Sequence, residues 1–155
     1  MENLFGTYEC KIDAKGRLLL PSLLKKQLAP FLDDGFVLKR SVFEKCLELH
    51  TMHEWKSVMS KINKLNRFVK KNADFIRRFT AGVKLIELDG TGRMLVTKDL
   101  IDFAVIKKEV VLTVTMNNII EIWDKEKYYN DVINAEEDFG DLAQDVMGDF
   151  EDPIL

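Results

Sequence analysis

The residues best suited to chemistry are Asp13 and Arg17, which bracket a tight glycine turn in the pattern D-x-x-G-R, and Asp89 and Arg93, which do the same 76 positions later. An arginine at the tip of a β-turn can enter a groove and offer its planar fork of donors to O6 and N7 of guanine, the commonest specific base contact in DNA recognition. Arg17 and Arg93 are therefore candidate base readers. Asp13 and Asp89 suit a different task, since Asp side chains in turns bond to nearby backbone and can hold a neighbouring arginine. Gly16 and Gly92 shape the loops, because a sharp reversal needs a residue that tolerates positive φ. Lys11, Lys15, Lys25 and Lys26 cluster in sequence around the first turn and suit phosphates, contacts that fix orientation without reading sequence. The plain alternative is a turn-stabilising ion pair, of little consequence at a surface. Duplication of the same acid, glycine and base argues for a shared task.

The elements that must position these turns can be read on either side of them. Residues 7–13 and 17–20 read as two short strands joined as a hairpin by the first turn, and the three apolar residues after each Arg read as a buried strand. Pro21 ends the pairing, and Ser22 is placed to cap a short helix over 23–28 that stops before Pro30. Strands follow at 36–39 and 46–49. Thr51-Met52-His53-Glu54 has the form of a capping box, which predicts a helix from Met52 with a stripe at Trp55, Val58, Met59, Ile62 and Leu65. The pattern resumes through Phe68, Val69, Phe75, Ile76 and Phe79, giving one long helix or two shorter ones, with breaks offered by Asn66 and Asn72. The stripe reads as core or subunit interface. The same order returns as strand 84–88, turn, strand 94–96, helix 99–103, strands 109–113 and 119–122, and helical signal from Asp124. The repeat therefore covers a whole unit and not only its turn.

Charge is divided unevenly along the 155 residues. Residues 1–134 hold all 23 Lys and Arg against 18 of the 26 acids, while residues 135–155 hold the other eight acids and no base. A basic body with an acidic tail points to an anionic partner more than the net charge of −3 suggests. Acid that dense predicts a flexible tail, or at most a weakly docked helix. The stretch 56–78 carries eight bases and one acid, which reads as a solvated basic face rather than a second phosphate surface. The first residues lack a basic and apolar leader, and no apolar run is long enough for a bilayer, so a cytoplasmic protein without a membrane partner is expected. Cys10 and Cys46 read as small apolar fillers. Cys46, His50 and His53 supply only three ligands without a zinc spacing, so neither a metal nor a cofactor is expected.

With turns and repeat in hand, the sequence closely resembles the MraZ family of bacterial transcription factors of the division and cell wall gene cluster. The resemblance is carried by Asp13-Ala14-Lys15-Gly16-Arg17-Leu18 with Pro21, Cys46-Leu47-Glu48-Leu49, Trp55, Glu87-Leu88-Asp89 with Gly92-Arg93, and Glu121-Ile122-Trp123, across about residues 4–130. It implies an α+β fold of two tandem AbrB-like, swapped-hairpin β halves forming one pseudo-two-fold unit with flanking helices. Residues 1–81 would make the first half, 82–134 the second and 135–155 the tail. It further implies a ring-like homo-oligomer that binds short G-rich direct repeats in promoter double-stranded DNA and usually represses the cluster. Two departures bear on the site: Thr97 replaces the proline that the family usually repeats, and Thr91 is uncharged where the first turn has Lys15. The second loop is thus expected to grip DNA less strongly, with Arg17 mattering more than Arg93.

Two other classes of function compete for the same residues. Paired aspartates in duplicated glycine turns suggest an aspartic protease, but those enzymes need Asp followed at once by a small hydroxyl residue and Gly, and an Arg beside each Asp opposes a shared proton. No Ser, Cys or His constellation offers another catalytic site, and no small-molecule substrate is expected. A ring-forming interaction hub without specific DNA binding is the other alternative, and weak salt dependence would reveal it.

Overall fold

A computed structural model describes residues 3–150. One compact unit ends at Lys125, and a second begins at Glu126. In the first unit, eight strands form two antiparallel sheets. The larger has the order β1(Thr7–Lys11), β7(Glu109–Val114), β8(Ile120–Asp124), β4(Leu47–Thr51), β3(Phe36–Arg40), β5(Lys84–Ile86). The smaller pairs β2(Arg17–Leu19) with β6(Arg93–Leu95).

β3 with β4 and β7 with β8 pair within a half, and the other pairings cross between the halves of the repeat. β1 pairs with β7, β5 with β3, β4 with β8 and β2 with β6. A pseudo-two-fold axis follows from the registers, where Glu48 faces its counterpart Glu121 in one sheet and Leu18 faces its counterpart Met94 in the other. The local hairpin expected over 7–20 is therefore replaced by an exchanged one. Only the isolated bridge Ile12↔Leu18 joins its two arms, because both arms have longer partners in the other half.

The core obeys the same axis. α1(Ser22–Leu28) and α4(Lys98–Ala104) bury Leu24 and Leu28, and Leu100 and Ala104, in one cluster with Leu38, Leu112, Leu49 and Ile122 from the larger sheet. Such equivalent apolar pairs let a duplicated sequence fill one interior without a seam. The α1 start differs from expectation: Pro21 holds the cap position and Ser22 is the first helical residue, with no side-chain cap. Thr97 occupies the matching position before α4 with the same extended backbone (φ −72°, ψ 157°, against −57° and 143° for Pro21). Loss of the proline therefore leaves the local geometry unchanged.

The Thr51 cap forms as expected: its Oγ1 accepts from the Glu54 N–H at 3.3 Å and opens α2(Met52–Ile62). The stripe then divides into two helices, α2 and α3(Lys70–Thr80). Asn66 lies in the break, where its Oδ1 accepts from the Phe68 N–H, whereas Asn72 sits inside α3 and donates back to the Asn66 carbonyl. Trp55 stacks on Phe79 with ring centres 6.0 Å apart, but Leu65, Phe68 and Val69 are exposed, so the stripe is core only in part. Strand β5 stops at Ile86, two residues short of its sequence-predicted end.

In the second unit, the turn that begins as α5(Lys125–Tyr128) continues as one π-helical turn, Tyr129–Ile133. The tail is not devoid of structure: α6(Phe139–Met147) forms behind Asp138, whose carboxylate accepts from the Asp141 N–H at 3.1 Å. Residues 151–155 of the expected tail lie outside the described residues.

Candidate nucleic-acid interface

Each turn is built by its aspartate. In the first, the Asp13 carbonyl accepts from the Gly16 N–H at 3.0 Å, while Asp13 Oδ1 accepts from the backbone N–H of Lys15 and of Arg17, both at 2.9 Å. The second carboxylate oxygen takes Arg17 Nε–H at 2.8 Å. In the second turn, Asp89 accepts from the Gly92, Thr91 and Arg93 N–H groups at 3.0, 2.9 and 3.0 Å, and from Arg93 Nε–H at 3.1 Å. The Thr91 hydroxyl adds a further bond to Asp89 Oδ1 at 2.8 Å. These donors stabilise the ionised form. The backbone N–H of Arg17, above all, holds the Asp13 carboxyl below its ordinary range, and the backbone N–H of Arg93 followed by the Thr91 hydroxyl holds Asp89 far lower. Two carboxylates each kept charged by their own donors are the reverse of a protease dyad that shares one proton.

Gly16 and Gly92 turn the chain with φ of +83° and +85°. They also lock the halves together: the Gly16 carbonyl accepts from the Val96 N–H at 2.7 Å, and the Gly92 carbonyl from the Leu20 N–H at 3.1 Å. Each turn is thus closed by the strand that follows the other.

Alternation along β2 and β6 then sets what faces out. Leu18 and Met94 point inward and are buried, whereas Arg17, Leu19, Arg93 and Leu95 share the opposite face. The apolar run after each Arg is therefore not buried throughout, since Leu19 and Leu95 are about half exposed (54% and 52%). Two guanidiniums related by the pseudo-axis flank these leucines. Each is tethered through Nε, and among the described residues neither spends an Nη atom on the protein. Leu19 and Leu95 are the members of this face that the sequence reading missed. Period-two counting from the buried Leu18 and Met94 is the signal that finds them.

The lysines divide between the turns. Lys15 is exposed at the first turn, and Lys11 is exposed at the end of β1, paired in register with Glu109. Lys25 is not at the first turn. From α1 its side chain crosses to the second, where Nζ donates to the Thr91 carbonyl at 3.4 Å and the chain lies over Gly92. Its counterpart on α4, Ile101, lies beside Gly16. Each turn therefore has one lysine, Lys15 from its own loop and Lys25 from the other half.

Elsewhere, burial pushes the Cys10 thiol up to about 11 and Cys46 up to about 12, so neither is a thiolate near neutrality. His50 Nε2 bonds Glu48 Oε1 at 3.0 Å, and among the described residues no group of three or more His, Cys, Asp or Glu is arranged to hold a metal. No helix among them is long and apolar enough to cross a membrane.

Two successive matches to one family model reproduce the duplication: "MraZ protein, putative antitoxin-like" fits residues 4–78 and again 79–149. The chain belongs to the MraZ family. The Transcriptional regulator MraZ of Christiangramia forsetii is 62% identical over 148 residues, covering 96% of this chain and 95% of the relative. That of Flavobacterium psychrophilum is 60% identical over 152 residues, with coverage of 98% and 96%. A more distant relative of the same name, from Phocaeicola vulgatus, is 35% identical over 144 residues, 92% of each chain. The second family match extends to residue 149, into the segment set off as a tail by its acidic charge.

Proposed function

We propose that this protein is a transcriptional regulator that binds double-stranded DNA through the outward face of the β2–β6 ribbon, and that it has no catalytic activity. The relatives named Transcriptional regulator MraZ support the class of function. The observation that carries the site is the matched pair Arg17 and Arg93, held through Nε by Asp13 and Asp89 on one face with their Nη atoms free of protein bonds. A fork oriented before it meets a base loses less freedom on binding, which favours specificity. Arg17 and Arg93 read guanines, while Lys11, Lys15 and Lys25 contact phosphates. Asp13, Gly16, Asp89 and Gly92 shape and orient the loops. The target is a set of short G-rich direct repeats in the promoter of the division and cell wall cluster, which the protein represses from the nucleoid as a ring-like homo-oligomer. Subunits meeting successive repeats multiply contacts that are each worth about 1–3 kcal/mol.

The test is fluorescence anisotropy with DNA from upstream of the protein's own gene. Binding should weaken with salt at a slope of about −0.9 per phosphate neutralised. Arg17→Ala should lower specific affinity by at least about fivefold and leave the oligomer, measured by light scattering, intact. Unchanged affinity would remove Arg17 from the interface, and a flat salt response would favour the interaction hub.

A further inference from the structure

A second candidate site of different chemistry lies at the Arg40 end of β3. The loop between β3 and β4 and the face of α3 enclose a cleft of about 760 Å³ that shares no residue with the two turns. This volume falls inside the range of about 300–1,000 Å³ usual for small-molecule sites and far exceeds a single inorganic anion.

Its lining combines charge with rings. Arg40, Lys45, Lys71 and Arg78 all face it, and none has a carboxylate within ion-pair distance among the described residues. Two carboxylates, Glu44 and Asp74, also line the cleft against six lysines and arginines, and that of Asp74 is already taken by Lys70 at 2.6 Å and Arg77 at 3.1 Å. The excess of positive charge is therefore not neutralised internally. One ring, Phe103, meets two of these cations: Lys45 Nζ lies 4.5 Å and Arg40 Cζ 5.3 Å from its centre. Arg40 Nη2 also donates to the Arg78 carbonyl at 3.2 Å, tying the loop side of the cleft to α3. Beneath them Lys39 is buried, with Nζ 4.2 Å from the Phe79 ring centre.

Two further rings line the cleft, Phe43 and Phe75, the latter packed on Phe79 with ring centres 5.5 Å apart. Phe75 is partly exposed in the wall, and Phe43 at the loop tip is 93% exposed. An aromatic left almost wholly in water beside a cationic cleft has apolar area to gain from a planar partner.

We propose that this cleft binds a phosphorylated small molecule with a planar ring, the nucleotide class, its phosphates on Lys71, Arg78 and Lys45 and its ring against Phe75 and Phe43. The arginine fork and the lysine ammonium both suit phosphate oxygens, and stacking on an aromatic is tolerant of which base is presented.

The experiment is isothermal titration of the full chain with ATP, GTP and inorganic pyrophosphate as separate probes. At least one nucleotide should bind saturably below about 1 mM, with pyrophosphate at least about tenfold weaker. Arg78→Glu and Phe75→Ala should each weaken that nucleotide at least about tenfold with unchanged circular dichroism, and Lys71→Glu, on an exposed helical position, repeats the test of charge without touching packing. Absence of saturable binding by either nucleotide overturns the proposal, as does pyrophosphate binding as tightly as ATP. Two other results also overturn it: Lys71→Glu weakening DNA binding in nucleotide-free buffer, which would make the cleft a phosphate surface for DNA, or changing subunit number, which would make it a contact between copies.

Discussion

Replacing Gly16 with alanine separates two costs that the duplicated turns share only in part. Both glycines have left-handed φ, +83° and +85°, a conformation that costs a residue with a Cβ about 1–2 kcal/mol. The added methyl meets different neighbours. At Gly16 the Cβ would lie under 3 Å from the Val96 backbone carbonyl, whose own N–H is bonded to the Gly16 carbonyl, so relief requires parting the two halves. At Gly92 it would lie 2.8 Å from Lys25 Cδ, a flexible chain that can swing away. Overpacking against an immovable partner adds about 1–3 kcal/mol, so Gly16→Ala should cost about 2–5 kcal/mol and Gly92→Ala about 1–2. At about 2–4 °C per kcal/mol for a chain of this size, the first variant should melt roughly 4–20 °C lower and the second roughly 2–8 °C lower. Calorimetry and urea titration at one fixed protein concentration measure both, since assembly makes Tm concentration-dependent. Gly90→Ala is the control, because nothing lies within 4 Å of its Cβ and its φ is not in the left-handed region. Equal losses at 16 and 92, or a larger loss at 92, would refute the claim that the Gly16–Val96 closure holds the halves together.

Asp13→Asn keeps an oxygen for the Lys15 and Arg17 N–H groups but sets an amide against Arg17 Nε–H, so melting should change little while discrimination between G-rich and scrambled DNA falls at least about fivefold by anisotropy. Thr91→Val removes one donor to Asp89 and should raise its carboxyl toward the ordinary range, read from the pH dependence of its carboxyl carbon shift; no change would deny the hydroxyl its part. Because Asp89 is depressed in the folded state, its contribution to stability is complete above the ordinary carboxylate range and is lost as pH falls through the depressed value. Lys25→Ala and Lys15→Ala should each flatten the salt slope of DNA binding by about 0.9 for every phosphate no longer neutralised; a silent Lys25→Ala beside an active Lys15→Ala would return the second turn to the weaker role expected from its uncharged Thr91.

What could be read from the sequence was local chemistry. The Asp-Gly-Arg turns and the Thr51–Glu54 cap are made by residues within four positions of each other, so type and spacing were enough. The duplication likewise announced two equivalent halves. It could not say which strand pairs with which, because a hairpin and its exchanged form use the same turn and the same apolar pattern. The exchange leaves only the Ile12↔Leu18 bridge of the expected hairpin. Leu19 and Leu95 were obscured by apolar neighbours on both sides, since in so short a strand a continuous apolar run hides its period. Lys25 was misplaced for a related reason. Nearness in sequence put it at the first turn, whereas α1 carries it across the pseudo-axis to the second.

That crossing changes what the duplication means for function. Read along the chain, the second turn is a weakened copy that has lost a lysine at 91 and a proline at 97. In space, Thr97 keeps the backbone that Pro21 adopts, and Lys25 occupies the vicinity of Thr91 from the opposite half. Gly16 and Gly92 are bonded each to the other half's strand, so each turn, built by its own aspartate, is braced by the opposite half. Divergence in one copy is thus offset by a residue of the other, an option open to strands and helices that interleave and closed to two domains on a string. The pseudo-axis through Leu18 and Met94 places Arg17 and Arg93 on one face as related forks. The ribbon they share, rather than either turn alone, is the unit that meets DNA in the function proposed.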